Sequence, residues 1–216
     1  MSAGPRFPLS AADRVCEEIR KRWGLSLEVV GSVRRRRASV GDIELIAPLP
    51  EGWDRKHIMP ADDPLFQTIN ATMQKPWQLE GLFGEPVIEP ESPMGRIERG
   101  LKPGFRAASF TLFAWGREFP CQVYRYTPAN RGWMQIERTG PREFGIHFLV
   151  AWKKQYSIPR EKQASINNHL VDVLGEIVQV KDEATAFQKA GMRQIPPEER
   201  DEYAERAKAL WEARKK

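Results

Sequence analysis

Between a short apolar run, Leu27-Glu28-Val29-Val30, and an alternating one, Asp42–Ala47, the chain carries Gly31-Ser32, four consecutive arginines (Arg34 to Arg37) and Gly41-Asp42. This is the stretch that most restricts the fold. The apolar run stopping at Gly31-Ser32 predicts a strand that ends in a tight turn. The second run predicts a strand with Asp42, Glu44 and Ile46 on one face and Ile43, Leu45 and Ala47 on the other, closed by Pro48. The carboxylates of Asp42 and Glu44 then stand on one side, about 6–7 Å apart at the backbone, and can grip one hard cation between them. Oxygen ligands suit magnesium or manganese, and a divalent ion shared by carboxylates and phosphates is the usual arrangement for phosphoryl transfer. Gly31-Ser32 supplies a complementary half: glycine lets backbone approach a phosphate, serine donates to it, and a helix starting there would aim its positive end at the anion. Arg34 and Arg35 can neutralise a triphosphate. Taken singly, an acidic pair on a strand is most often its solvent face, and an arginine run a solvated surface. It is their conjunction that points to a site.

The rest of the chain reads as an alternation of helices and strands. Ser10 followed by Asp13 resembles a capping box, and Ala12, Val15, Cys16, Ile19 and Trp23 recur at helical spacing up to Gly24. Residues 50–104 contain eight prolines and read as irregular, with a helix at Pro64–Met73. Ala107–Trp115 and Glu118–Tyr126, rich in aromatic and β-branched residues, predict a hairpin turning at Gly116-Arg117. Pro128–Gly132 reads as a hinge. Beyond it Pro141 takes a helix's first position, and Phe144, His147, Phe148, Ala151 and Trp152 follow at i, i+3, i+4, i+7 and i+8, with Lys153 and Lys154 in the last turn. Further helices are expected at Lys162–Leu174, Asp182–Ala190 and Pro197–Lys216, the last highly charged and long enough to protrude.

With 216 residues, 41% hydrophobic and 29% charged, the chain can bury one large core or two small ones and should fold by itself. The net charge of +5 permits a polyanionic partner without demanding one. Two cysteines, Cys16 and Cys121, build neither a CxxC site nor a disulfide framework, so a reducing cytoplasm is the expected compartment and both thiols are expected buried. No stretch is apolar enough to span a membrane, and Met1–Ser10 lacks the charged and hydrophobic regions of a signal peptide, which argues against secretion. Three scattered histidines form no zinc-like cluster, and no nucleophilic triad is visible. His147 is expected on a buried helix face, and Trp115, Trp133 and Trp152 in packing roles.

Gly31-Ser32 after a strand, then arginine, then Gly41-Asp42-Ile43-Glu44 opening the next strand resembles the nucleotidyltransferase signature of the polymerase beta superfamily. Two further segments are similar to family X polymerases in particular. Thr139-Gly140-Pro141-Arg142-Glu143-Phe144 resembles the Thr-Gly-Ser element at the family's palm–thumb junction. Asp182–Gly191 and Ile195-Pro196-Pro197-Glu198-Glu199-Arg200 resemble its closing motifs. The resemblance runs from about Pro8 to Arg200. It implies an α+β fold: a nucleotidyltransferase palm at residues 8–128 (a twisted, mainly antiparallel sheet backed by helices), a small mixed α/β thumb at 129–200, and a charged C-terminal helix at 201–216. The family's lyase and fingers domains are not expected, as in its smallest viral members.

Carried over residue by residue, the resemblance implies that Asp42 and Glu44 are catalytic and hold two Mg2+ (or Mn2+) ions. It makes Gly31, Ser32, Arg35, Thr139 and Gly140 nucleotide-binding; the clustering of basic residues makes Arg34, Arg36, Lys153 and Lys154 the expected DNA contacts. The partners implied are a primer–template or gapped duplex and a deoxynucleoside triphosphate, acting on a monomer. There are departures. Glutamate replaces the commoner aspartate at Glu44, and the strand Glu118–Arg125 places Gln122 where the third carboxylate is expected. Glu118, on the same face, stands about 13 Å away along an extended strand, too far to substitute without a bulge. Glu137-Arg138 and Gly145 replace residues that contact the nucleotide in the family. The implied activity is therefore a slow DNA polymerase, the alternative being an inactive nucleotide- or DNA-binding descendant.

Overall fold

A computed structural model describes residues 6–50, 63–74 and 107–213. The chain divides into two compact units, residues 1–29 with 38–125, and residues 30–37 with 126–216.

The first unit contains β1 (Phe7–Pro8), α1 (Leu9–Trp23), β2 (Glu28–Val29), β3 (Ser39–Val40), β4 (Ile43–Pro48), α3 (Pro64–Gln74), and the hairpin β5 (Ala107–Ala114) and β6 (Arg117–Tyr126), whose last residue opens the second unit. A four-stranded sheet has the order β2-β4-β6-β5, with β2 antiparallel to β4 and β5 antiparallel to β6; β1 and β3 form a separate antiparallel pair. Alternation drives the burial. Phe119, Cys121 and Val123 of β6 are buried, as are Phe110 and Leu112 of β5, and α1 buries Ala12, Val15, Cys16, Ile19 and Trp23. Phe7 meets Phe119 edge-on, and Trp23 lies against Phe110.

Local chemistry differs from the sequence expectations at both ends of this unit. No capping box forms at Ser10: α1 starts one residue earlier, after Pro8, and no side chain caps it. Its other end follows expectation, with Gly24 left-handed at φ 60°. The hairpin turns at Trp115-Gly116, one residue before the predicted pair, with φ of 50° and 69°. Two positive φ angles fit the twist of a two-residue hairpin, and Trp115 accepts one while lying edge-on to Phe119 and under the guanidinium of Arg14. The helix α3 matches the helix predicted from Pro64; the rest of the proline-rich stretch lies outside the described residues. Its start is held by Arg125, which donates to the Pro48 carbonyl (2.9 Å) and to Asp63, while Asp63 also accepts from the Leu65 amide at 2.7 Å. Burial pulls the Arg125 guanidinium down to about 10, which still leaves it charged at neutral pH beside Asp63.

Both cysteines are buried and unpaired. Burial pushes the Cys16 thiol up to about 12 and Cys121 well above its ordinary range. At pH 8 the thiolate fraction of Cys16 should fall by roughly 10³ relative to the unfolded chain. Iodoacetamide should accordingly alkylate the denatured protein quickly and leave the native one almost untouched; prompt native labelling by mass spectrometry would contradict this packing.

The second unit holds α2 (Gly31–Arg34), α4 (Arg131–Thr139), α5 (Arg142–Gln155), β7 (Ser165–Ile166), β8 (His169–Leu170), α6 (Glu183–Lys189), a 3-10 turn at Pro197–Glu199 and α7 (Arg200–Ala213). Its core gathers Trp133, Phe144, Phe148, Trp152 and Phe187, with Trp133 stacked on Phe148 at 5.5 Å and Phe187 edge-on to Phe148 at 5.6 Å. The Trp152 indole also donates to the Val171 carbonyl at 2.8 Å. These are the packing roles expected of Trp133 and Trp152; His147 is half-buried against Tyr203.

Helix α5 follows its predicted periodicity closely. Three expectations fail. The hinge at Pro128–Gly132 instead runs into α4, which begins at Arg131. The helix predicted at Lys162–Leu174 is a β-hairpin: Asn167 and Asn168 adopt φ of 54° and 64°, which asparagine tolerates and a helix cannot use. The C-terminal helix starts as a 3-10 turn and becomes α-helical only at Arg200. Helix α6 agrees with expectation, capped by Asp182 accepting from the Thr185 amide at 2.7 Å.

Candidate functional site

In the first unit, β4 carries the acidic pair. Asp42 sits just before the strand and Glu44 within it, both partly exposed, while Ile43, Leu45, Ile46 and Ala47 are buried. Their face is accessible only at the start of the strand, since Ile46 on the same face is buried. The neighbouring strand β6 presents Gln122 and Tyr124 on its partly exposed face, opposite Ser109 and Ala107 of β5. The Tyr124 hydroxyl donates to Gln122 Oε1. Asp42 lies close enough to β6 that its charge helps keep the buried Cys121 thiol protonated, behind the larger effect of burial itself.

As donors, Asp42 and Glu44 are hard oxygens of the type magnesium or manganese takes, and Gln122 adds only a neutral amide oxygen already engaged by Tyr124. Among the described residues no group of three or more His, Cys, Asp or Glu side chains gathers in metal-binding proximity. The described residues fit a carboxylate pair rather than a three-carboxylate cluster. The register is one reason. Glu118 is exposed and pairs with Phe113 near the hairpin turn, four residues from Gln122, with the strand ladder continuous between them. No bulge brings it closer.

In the second unit the Gly31-Ser32 turn is resolved in detail. Gly31 has φ 67°, a conformation that glycine adopts without strain. The expected helix is a single turn, Gly31–Arg34, so it offers amides to an anion but no macrodipole worth the name. The Ser32 hydroxyl is buried with no hydrogen-bond partner among the described residues. A donor left unsatisfied in this way is costly unless something accepts from it, which is what an anion would do.

The arginines that follow are not solvated as a run. Arg34 donates to Glu183 through both terminal nitrogens (3.0 and 2.8 Å) and to Thr139 Oγ1 at 2.9 Å. Glu183 is 5% exposed and also meets Arg200 at 2.7 Å; Arg200 is itself fully buried, donating to the Ile195 carbonyl and lying over the rings of Phe144 and Phe187. Burial lowers the Arg200 guanidinium, and Glu183 opposes this. Arg35 donates to the Thr139 carbonyl and, at 3.1 Å, to Asp201. Arg37 meets the same Asp201 oxygen at 3.4 Å. Gly140 follows with φ 65° and leads by a cis peptide bond into Pro141 and α5. A Cβ there would come within 3.2 Å of Arg35 Nη1.

The structure therefore brings Arg34 and Arg35, on and just after the turn that begins at Gly31-Ser32, together with Thr139 and Gly140 at the end of α4, four of the residues singled out in the sequence. Arg34 is engaged with protein partners rather than presented outward, and Arg36 is exposed. On α5, Lys154 is exposed, while Lys153 donates to the Arg160 carbonyl at 2.8 Å. Sequence reasoning did not foresee the roles of Glu183, Arg200 and Asp201, although the first two fall inside the closing motifs quoted above.

Compared with solved structures, the chain superposes on polymerase beta of Leishmania infantum in a ternary primer–template complex, with a TM-score of 0.62, 14% sequence identity, and coverage of 92% of this chain and 78% of that one. The fold is similar to that of polymerase beta. No protein-family model matches the sequence, and no curated protein matches it. The likeness to polymerase beta is thus one of fold: an α+β architecture shared at low sequence identity.

Proposed function

We propose that the protein is a nucleotidyltransferase of the family X, polymerase beta-like kind, adding deoxynucleotides to a DNA primer 3′ end, as in gap filling. The observation that carries this reading is the pairing of a polymerase beta-like fold over 92% of the chain with a partly exposed carboxylate pair, Asp42 and Glu44, at the start of β4. In this reading the first unit acts as the palm, with Asp42 and Glu44 as its metal-binding carboxylates, and Ser32 and Arg35 are phosphate-binding residues. Divalent ions, when bound, supply charge neutralisation of the triphosphate and a more acidic attacking hydroxyl. The chain's own contribution is positioning. Ser32 donates to a phosphate oxygen, Arg35 offsets its charge, and the exposed Lys154 contacts the DNA backbone.

Gln122 favours a second reading. A neutral amide, already accepting from Tyr124, holds neither metal charge nor a proton from a primer hydroxyl, as an inactive nucleotide- or DNA-binding descendant would tolerate.

Calorimetric titration of manganese with a nucleoside triphosphate tests what both readings share. The wild type should bind the pair and Asp42→Asn should lose at least about tenfold in affinity; equal binding by the two proteins sinks the metal-site assignment. Primer extension with magnesium or manganese then separates the readings, since only the enzyme lengthens the primer.

A further inference from the structure

One carboxylate stands where the proposed nucleotide contact would be made. Asp201 Oδ2 lies 3.1 Å from Arg35 Nε and 3.4 Å from Arg37 Nη1. A single anionic oxygen held between two guanidinium groups is the arrangement in which a non-bridging phosphate oxygen is bound. The carboxylate is also held in place by its surroundings. Its neighbour Arg200 is fully buried, pinned by Glu183 and by the Ile195 carbonyl and sandwiched near Phe144 and Phe187. The first turn of α7 is therefore fixed, and Asp201 has little freedom to stand elsewhere while that anchor holds.

Charge in the cluster is unbalanced. Four guanidiniums, from Arg34, Arg35, Arg37 and Arg200, share the carboxylates of Glu183 and Asp201. Glu183 is buried between Arg34 and Arg200 and is committed. Asp201 is the more accessible of the two acids, at 22% side-chain exposure against 7%. The same short segment also carries the buried hydroxyl of Ser32, which has no hydrogen-bond partner among the described residues. An excess of positive charge, an idle donor and a displaceable carboxylate together describe an anion site with an acidic occupant.

We propose that Asp201 is an internal competitor for the phosphate-binding arginines: it occupies the seat of a triphosphate oxygen between Arg35 and Arg37, and a nucleotide binds by displacing it. This rests on the reading above, in which Arg35 contacts the triphosphate. The first turn of α7 thereby sets nucleotide affinity, weakening it in the resting protein and keeping smaller anions out.

The test is a binding series with two probes, inorganic tripolyphosphate and a nucleoside triphosphate with manganese, against wild type, Asp201→Asn, Arg35→Gln and the double variant, each checked for folding by thermal melting. Asp201→Asn should bind both probes at least about tenfold more tightly, and adding Arg35→Gln should remove the gain. Because Asp201 is partly exposed the exchange should be tolerated; Asp201→Ser, which suits a helix start, replaces it if the asparagine variant fails to fold. Unchanged or weaker binding in the Asp201 variants overturns the proposal, as does a gain that survives Arg35→Gln. If Arg35→Gln weakens wild-type binding while Asp201→Asn leaves it unchanged, only the competitor role fails. If Arg35→Gln has no effect on any protein, the nucleotide role of Arg35 fails with it.

Discussion

Gly132→Ala should unfold or severely weaken the second unit, lowering the melting temperature by about 10 °C, whereas Gly145→Ala, also within a helix, should leave it unchanged or slightly raised. At Gly132 an added Cβ would fall inside the van der Waals contact distance of the Asp182 carbonyl group and reach 3.0 Å from the Val180 carbonyl oxygen. Both obstacles are backbone, and the Gly132 amide donates to that same Val180 oxygen at 2.8 Å. Helix α4 cannot back away without giving up this bond. Overpacking against an unyielding wall costs about 3 kcal/mol or more, and each kcal/mol is roughly 2–4 °C for a chain of this size. At Gly145 a Cβ meets nothing within 4 Å, so the exchange relieves only the entropic cost of glycine in a helix, roughly 0.5–1 kcal/mol in the stabilising direction. Differential scanning calorimetry of the pair decides the matter; similar melting temperatures for the two variants would refute the close packing of α4.

Gln122→Asp should raise the rate of single-nucleotide insertion at least about tenfold. In a two-metal site the third carboxylate favours deprotonation of the attacking hydroxyl, and a neutral amide forfeits that effect. The loss is of the order of several kcal/mol of transition-state stabilisation, and each 1.36 kcal/mol is about tenfold in rate. The wild type should accordingly extend primers slowly, or only with manganese. Tyr124 sharpens the expectation: its hydroxyl donates to Gln122 Oε1 and would donate equally well to an aspartate only if the shorter side chain still reached it. Tyr124→Phe in the Gln122→Asp background should therefore change the rate little, while in the wild type it frees the amide to turn. Single-turnover kinetics with a gapped duplex would settle both. Brisk magnesium-dependent extension by the wild type, not improved by Gln122→Asp, means that Gln122 does not occupy the third carboxylate's position.

The sequence was most informative where a single residue type or a period decides the local structure. Alternation in β4 marked the buried Ile43, Leu45 and Ala47 but not Ile46, which is buried although it shares a face with Asp42 and Glu44; the spacing Phe144, Phe148, Trp152 correctly marked the buried stripe of α5. It failed where two structures share one pattern. Ala164, Leu170 and Val171 are all buried in the stretch expected to be a helix, but the paired asparagines at 167 and 168 turn the chain back on itself. The hairpin turns one residue before the expected Gly116-Arg117 because Trp115, an unusual residue at positive φ, takes the first turn position. The arginine run misled for a different reason. A run of charges looks solvated locally, and nothing near Arg34 in the sequence announces that its partner is Glu183, 149 residues away. Pairing at that separation leaves no periodic trace; only the likeness of residues 182–200 to a family's closing motifs marked that region at all.

Followed along the chain, the second unit is interrupted rather than continuous: it opens with Val30–Arg37, pauses for all of residues 38–125, and resumes at Tyr126. Synthesis must therefore deliver Arg34 and Arg35 long before Glu183, Thr139 and Asp201 exist to receive them. The loop that has to close is the entire intervening body, and folding that body first shortens the effective loop and its entropic cost. The arginine segment is in this sense a thread tied at one end of translation and knotted at the other. A cut anywhere between residues 38 and 125 that separates the halves would leave each with part of the same ion-pair network, and coexpressing the halves would give them a specific reason to find one another.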